Sequence, residues 1–427
     1  MRARVLGVDA GPAASSAPRW SALAILALGA AISLAMNLPG HMSYDSVLQL
    51  AQGRAGIYNN WHPPVMAWLL GLFDSVVRGT ALFVVFNTLL LYGGLAIVAL
   101  TPPRTTWLAP PLLVIWAAIP DGLIYPGIVW KDVLFTASAF AGFVGLVLAA
   151  LNWPLRRLRF YLIAGGFLLM ALAALSRQNG LVILPVAAIA SGWIAARSGA
   201  HRRIHSAIAY ALLPLVGAGL VMVAGNAALQ TRSDGEPSQM YEMRDLQAYD
   251  LAGALRTKPD LSLSRLDAAD PGLARLLRVK AAPAYTPVRL DSISAMPDLD
   301  KALFDTPDSA VPAQWRDLVL GHPWLYLKVR ARDFYWVLAT PDVDACLPFV
   351  DGVDGPEPWV TRLGLKNHEG PKDLALKAWG EPITHSPLFW HPLYAAIALA
   401  LMALLLRRRR TSDIAMAGLL AAALAFT

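Results

Sequence analysis

Residues 41–73, HMSYDSVLQLAQGRAGIYNNWHPPVMAWLLGLF, place one carboxylate, Asp45, and two histidines, His41 and His62, just beyond a long apolar run. A carboxylate at such a boundary can take a proton from an attacking hydroxyl as a general base. It can equally sit in the first turn of a helix, where the backbone dipoles stabilise the anion by about 0.3–1 kcal/mol. The two roles are compatible, since the amides that stabilise the anion also lower its pKa. His62, in NNWHPPV, could cap a helix starting at Pro63 or meet a substrate. With His41 and Asp45 it would offer three metal ligands, but Pro39-Gly40 argues against a helix joining His41 to Asp45. The sequence neither requires nor specifies a divalent ion.

Two further stretches carry charges where apolar runs end. YPGIVWKDVLF (125–135) holds Lys131 and Asp132. Charges within a span cost about 2.5–3.5 kcal/mol each on insertion scales. The pair could neutralise itself, or Lys131 could snorkel to the interface. A lysine on this side runs against the distribution of basic residues described below, and a contact with an anionic lipid phosphate would explain it. LSRQNGLVILP (175–185) holds Arg177, Gln178 and Asn179 between two apolar runs. Asn179-Gly180 is a common turn pair. A turn needs no arginine, however, and a guanidinium binds phosphate bidentately. We take Asp45 as the candidate catalytic residue and His62, Lys131, Asp132, Arg177, Gln178 and Asn179 as candidate substrate-binding residues.

The elements that must position them follow from composition. Of 427 residues, 56% are hydrophobic and 15% charged, with a mean hydropathy of +0.48. Soluble domains are less apolar and carry ~25% charged residues, so the chain reads as an all-α polytopic membrane protein. Spanning runs fall at 20–38, 80–100, 107–122, 133–151, 160–176, 180–196, 206–226 and 387–406. A shorter run, 412–427, is marginal for a ~30 Å hydrocarbon core, and the chain is expected to stop inside a span. The first run is longer than a secretory leader's core and reads as an uncleaved anchor.

The net charge of +7 would suggest nucleic acid in a soluble protein. Here the basic residues sit in every second loop: Arg2, Arg4 and Arg19; Arg104; Arg156, Arg157 and Arg159; Arg197, Arg202 and Arg203; Arg407 to Arg410. That is the positive-inside pattern. It sets residues 1–19 as a cytoplasmic tail, 20–226 as a transmembrane bundle carrying the outer loop 39–79, 227–386 as a large outer loop or domain, and 387–427 as C-terminal spans. Cys346 is the single cysteine, which excludes an internal disulfide and a cysteine metal site. No glycine-rich nucleotide fingerprint is present.

Within the first outer loop, Ser43 is a suitable N-cap before YDSVLQLAQGR, with Gly53 or Gly56 as the stop. Pro63-Pro64 opens a second short helix. Both are expected to lie at the membrane surface. In the large loop, 314–338 has helical apolar spacing, which Pro323 should break; 256–313 has weak periodicity and no assignment.

SYDSVLQLAQGR followed by WHPPVMAWLLGL resembles the first outside loop of the C-type glycosyltransferase superfamily, polytopic enzymes that use polyprenyl-phosphate sugars. YPGIVWKDVLF and SRQNGLVILP are similar to segments of bacterial members. The resemblance covers about 20–226 and, more thinly, GHPWLYLKVRARDF. It implies the C-type helical bundle, with Asp45 as the catalytic carboxylate and Lys131 and Arg177 at the donor phosphate. The partners it implies are a lipid-linked sugar donor, a lipid, glycan or protein acceptor, and membrane lipids, with no nucleic acid. The place it implies is the outer, periplasmic face of a bacterial inner membrane. The chain departs from members with paired acids, since Ser46 and Val47 follow Asp45.

Two other readings stay open. A polysaccharide polymerase or ligase would depend on arginines of the large loop, Arg244, Arg316 and Arg330, rather than on Asp45. A transporter of lipid-linked sugars would place its ionisable residues near the bilayer midplane, on broken helices and repeats; here the charges sit at the ends of the runs, and no repeat is visible.

Overall fold

The apolar runs become helices because nothing in hydrocarbon can satisfy an unpaired backbone, and an α-helix pairs its own. The structure, a computed structural model, describes residues 16–58, 62–101, 105–198, 203–230 and 238–426. Arg2, Arg4, Arg104 and Arg202 of the topology argument lie outside them. In chain order the helices are α1 (Ala17–Asn37), α2 (Tyr44–Ala55), α3 (Pro64–Val76), α4 (Ala81–Leu100), α5 (Ala109–Ala118), α6 (Pro120–Leu123), α7 (Lys131–Leu151), α8 (Arg156–Ser176), α9 (Ile183–Ser198), α10 (Arg203–Gln230) and α11 (Ser238–Thr257). Shorter helices follow, then His391–Arg408 and Thr411–Phe426. Among the described residues extended backbone pairs only as isolated bridges.

Seven described helices are long and apolar enough to cross a membrane: α1, α4, α7, α8, the run Gly180–Ser198 that contains α9, α10, and His391–Arg408. The protein is therefore a helical, multi-pass membrane protein. Its centre is α7, whose apolar stretch is 72% buried, while those of α10 and His391–Arg408 are 6% and 0% buried, as faces turned to lipid would be. Phe143, Leu146, Met170, Ala171, Ala187 and Ala415 close the core between α7, α8, α9 and Thr411–Phe426.

The expected straight span 107–122 is broken. α5 and the segment Pro120–Gly127 meet at 75°. The cause is local: Pro120 forces Ile119 out of the helical region, to φ −83 and ψ 165. The break exposes carbonyls, and neighbouring spans cover them. Tyr92 of α4 donates to the Gly122 carbonyl at 3.1 Å. Ser33 and Asn37 of α1 donate to the Leu123 carbonyl at 2.9 and 2.6 Å.

Residues 39–79 hold the expected pair of short helices. Ser43 stands at the N-cap of α2 but makes no side-chain cap, and Gly56, at φ +66, ends the helix. Pro63 is the N-cap of α3, so His62 precedes the helix rather than capping it. The helices α2 and α3 cross with their backbones in contact. A Cβ on Gly53 would lie 2.3 Å from the Ala67 carbonyl oxygen, and one on Gly71 would lie 2.3 Å from that of Gly53. Arg54 locks the crossing with paired hydrogen bonds to Asp74, at 2.9 and 2.8 Å, and a third to the Leu363 carbonyl at 2.7 Å.

The large loop divides differently from the expected 227–386 unit. Gly235–Leu347, with Trp390–Pro392, forms one compact unit, whereas Pro348–Phe389 belongs with the bundle. In the first unit α11 is surrounded by short helices over a core of Leu251, Leu255, Leu266, Leu277 and Leu303. The unassigned stretch 256–313 supplies several of these, in pieces too short for a periodic signal. The expected break at Pro323 is present: Ala310–Gly321 ends at His322, and Pro323–Ala339 follows.

Pro348–Phe389 is joined to the bundle by backbone pairing and by His41. Met42 donates to the Gly352 carbonyl at 2.9 Å, and Asp354 donates to the Met42 carbonyl at 2.9 Å. Gly352 donates to His41 Nδ1 at 3.0 Å, so the ring proton sits on Nε2 and is donated to Asn37 Oδ1 at 2.8 Å. Burial holds the His41 imidazole below its ordinary pKa, although Asp373, 3.4 Å from Nδ1, opposes this.

Replacing Gly53 or Gly71 by alanine should separate α2 from α3 and destabilise the protein by about 1–3 kcal/mol. Gly165→Ala in α8, whose Cβ would meet nothing within 4 Å, should be neutral or stabilising. Thermal unfolding of the detergent-solubilised protein checks the order; equal midpoints for the three variants would contradict the backbone crossing.

Candidate functional site

Asp45 is the second residue of α2. Two hydrogen bonds join its surroundings to the segment entering α7. Ser46 Oγ donates to the Val129 carbonyl at 2.5 Å, and Trp130 Nε1 donates to Ser43 Oγ at 3.0 Å. The Ser43 hydroxyl is thus committed to Trp130, which explains the missing side-chain cap. His41 and Val129 pair through backbone, with Val129 donating to the His41 carbonyl at 2.9 Å. Asp45 and Lys131, each the first charge of its helix, are thereby brought to the same end of the bundle.

His62 stands between them. Its Nε2 lies 3.2 Å from Asp45 Oδ2, and its Nδ1 lies 3.0 Å from Lys131 Nζ. An ammonium has donors only, so Nδ1 accepts, the ring proton is on Nε2, and His62 donates it to the carboxylate. The imidazole orients Asp45 and links it to the Lys131 ammonium. The hydrogen bond from His62 holds the Asp45 carboxyl below the usual carboxylate range, partial burial opposes this, and electrostatic interaction with His62 and then Lys131 reinforces it. Half of the Asp45 side chain, 51%, remains exposed. A half-exposed anion with one oriented oxygen can accept a proton from an incoming hydroxyl.

Lys131 meets His62, and Asp132 pairs with Arg177 at the end of α8. The Arg177 guanidinium also lies over the Phe426 ring, 5.4 Å from its centroid, in cation–π geometry. Contacts therefore run from Asp45 through His62 to Lys131, and from the adjacent Asp132 to Arg177. Gln178 and Asn179 are exposed in a turn closed by the Gly180 amide on the Arg177 carbonyl at 3.0 Å. They follow Arg177 in the chain.

His41 stands outside this set. It is 2% exposed and engaged by Asn37 and Gly352, so the triplet of His41, Asp45 and His62 does not assemble as metal ligands. Among the described residues no group of three or more histidine, cysteine or acidic side chains is disposed to hold a metal ion. Of the arginines that the polymerase reading needs, Arg244 is buried against Asp308 and the Leu303 and Thr306 carbonyls, and Arg330 pairs with Asp250 at 2.8 Å. Both have structural partners.

The sequence reading missed Trp130, Ser46 and Phe426. Trp130 had a signal, since an aromatic beside a charge at the end of a span marks an interface. Phe426 had none, because its contact joins the far end of the chain to Arg177.

No protein-family model, no curated protein and no solved structure matches the chain.

His62→Ala should raise the Asp45 pKa towards the ordinary value of ~3.9. The carboxylate contributes to stability above its unfolded pKa and loses that contribution as pH falls through the folded one; in the variant, with the two values brought together, that contribution shrinks at every pH. Carbodiimide labelling of Asp45, followed across pH by peptide mass spectrometry, should show its midpoint moving up. An unmoved midpoint would remove His62 as the group that orients the acid.

Proposed function

We propose that this protein is a membrane glycosyltransferase that moves a sugar from a polyprenyl-phosphate carrier to an acceptor at the outer face of a bacterial inner membrane. The observation that supports it most is the set Asp45, His62 and Lys131, drawn from separate elements and joined by contacts of 3.2 and 3.0 Å. Beside it stands Arg177, which is joined to Asp132.

Transfer makes two demands on such a site. The acceptor oxygen must lose its proton as it attacks the anomeric carbon, and the sugar–phosphate bond must break with its electron pair passing to the phosphate. Asp45 takes the proton. His62 fixes the carboxylate oxygen that receives it. Lys131 and Arg177, with three and five N–H donors, meet the phosphate before and after it leaves and stabilise its charge. The alternation of acid and cation keeps the local charge near balance, as an interfacial site requires if it is to stay folded between turnovers.

A second reading, the polymerase or ligase, would rest on Arg244, Arg316 and Arg330, of which Arg244 and Arg330 stand in ion pairs as Arg177 does.

Asp45→Asn should insert and unfold as the wild type does, yet lose transfer by about 10²–10⁴-fold, the usual contribution of a general base. Mass spectrometry of polyprenyl-linked sugars and envelope glycans, compared between wild-type and variant membranes, reads it out. The donor should accumulate and the added sugar disappear; a variant as active as the wild type would sink the proposal.

A further inference from the structure

The unit Gly235–Leu347 carries a feature the transfer site does not use. A cavity of about 600 Å³ opens on its surface, lined by Arg256, Tyr285, Lys328, Arg332, Tyr335 and Trp336 among others. That volume lies within the ~300–1,000 Å³ of ordinary ligand pockets. Lys328, Ala331, Arg332, Tyr335 and Trp336 recur at helical spacing on Pro323–Ala339, so one face of this helix forms a wall, with Ala331 leaving it open. Its opposite face, through Val329, packs on the core of the unit.

The far wall is rigid. Tyr285 donates to Asp333 Oδ1 at 2.6 Å, and Tyr249, tilted against it with ring centroids 4.9 Å apart, donates to the Thr286 carbonyl at 2.6 Å. Arg256 donates to the Pro283 carbonyl at 3.0 Å, and Arg332 to Thr257 Oγ1 at 3.2 Å. Among the described residues neither arginine nor Lys328 has a carboxylate partner within ion-pair distance. Three cations therefore line one cavity, with Asp333, which also accepts from Tyr285, as the acid that acts on Arg332. Asp250 is paired with Arg330.

Next to the cavity on the same helix runs an exposed apolar stripe of Trp324, Leu327, Ala331 and Phe334. Trp324 is 82% exposed. A helix with Trp, Leu and Phe on one face and Lys and Arg on its flank has the pattern of a helix that lies in a bilayer interface. Anionic headgroups draw such basic residues to the surface, and the apolar face enters below them. The chain itself holds the unit near a bilayer, since α10 precedes it and His391–Arg408 follows it.

We propose that this face docks on an anionic membrane surface, with a lipid phosphate in the cavity of Arg256, Lys328 and Arg332 and the Trp324–Phe334 stripe in the acyl boundary. The occupant needs a negative head and an apolar body together; a free phosphate would leave the stripe bare. The site is separate from Asp45, and its test does not depend on sugar transfer.

The test uses the full chain in nanodiscs. Cys346, the lone and exposed cysteine, is replaced by serine, and Trp324→Cys carries an environment-sensitive fluorophore. In discs containing phosphatidylglycerol, lipids spin-labelled on their acyl chains should quench the fluorophore. In pure phosphatidylcholine quenching should be weak. Replacing Arg256, Lys328 or Arg332 by alanine should lower the docked-to-free ratio about fivefold each. Native mass spectrometry of the full chain gives a label-free reading, with phosphatidylglycerol retained over phosphatidylcholine by the wild type and not by the triple alanine variant. Equal quenching in both lipids, or quenching unaffected by the triple variant, would overturn the proposal. So would saturation of the cavity by inorganic phosphate with no response to phosphatidylglycerol.

Discussion

One buried relay of hydrogen bonds holds the site end of the bundle together. It starts at the Leu123 carbonyl, bared by the break after α5, passes through Asn37 to His41, and ends at the Gly352 amide. Its side chains are buried, and an unmade buried hydrogen bond costs about 1–3 kcal/mol. The relay joins α1, the broken segment, the loop after α1 and Pro348–Phe389. Asp45 stands four residues past His41, so the direction in which α2 leaves the bundle is set here. The apolar core around α7 keeps the helices together; the relay sets the register of their ends.

The same constraint explains the division of labour between the two histidines. In both, Nδ1 accepts and Nε2 donates. His41 spends both nitrogens on buried partners, an amide carbonyl of Asn37 and a backbone N–H, and is structural. His62 is placed between a carboxylate and an ammonium at the surface, so the groups it orders can meet solvent or substrate.

Much of the fold was legible because length and hydropathy suffice for spans: seven of the expected runs appear as helices of spanning length. The two short helices at 39–79 were legible too, from Gly56 and Pro63-Pro64. The break at Pro120 was not seen, although the proline was in view, because the apolar run continues through it and hydropathy does not register backbone geometry. The docking of Pro348–Phe389 was invisible for a different reason. It rests on backbone pairing at Met42 and Gly352 and on one histidine, contacts between residues some three hundred positions apart. At the site, types and places were readable: Asp45, His62, Lys131, Asp132 and Arg177 all lie near span ends. Pairing was not. Lys131 and Asp132, adjacent in the chain, take partners from different helices, because successive residues on a helix point in different directions.

Ser33 and Asn37 have a consequence for biogenesis. They are polar groups in the first hydrophobic segment, and their partner is a carbonyl more than eighty residues downstream. During synthesis that partner does not yet exist. Until it arrives, α1 must sit where water or the insertion machinery can solvate these side chains, and the broken segment is equally unsuited to bare lipid until α1 meets it. The two hydrophobic stretches thus complete each other's partitioning, and assembly of this part of the protein is bound to pass through their encounter rather than through independent insertion of ready-made helices.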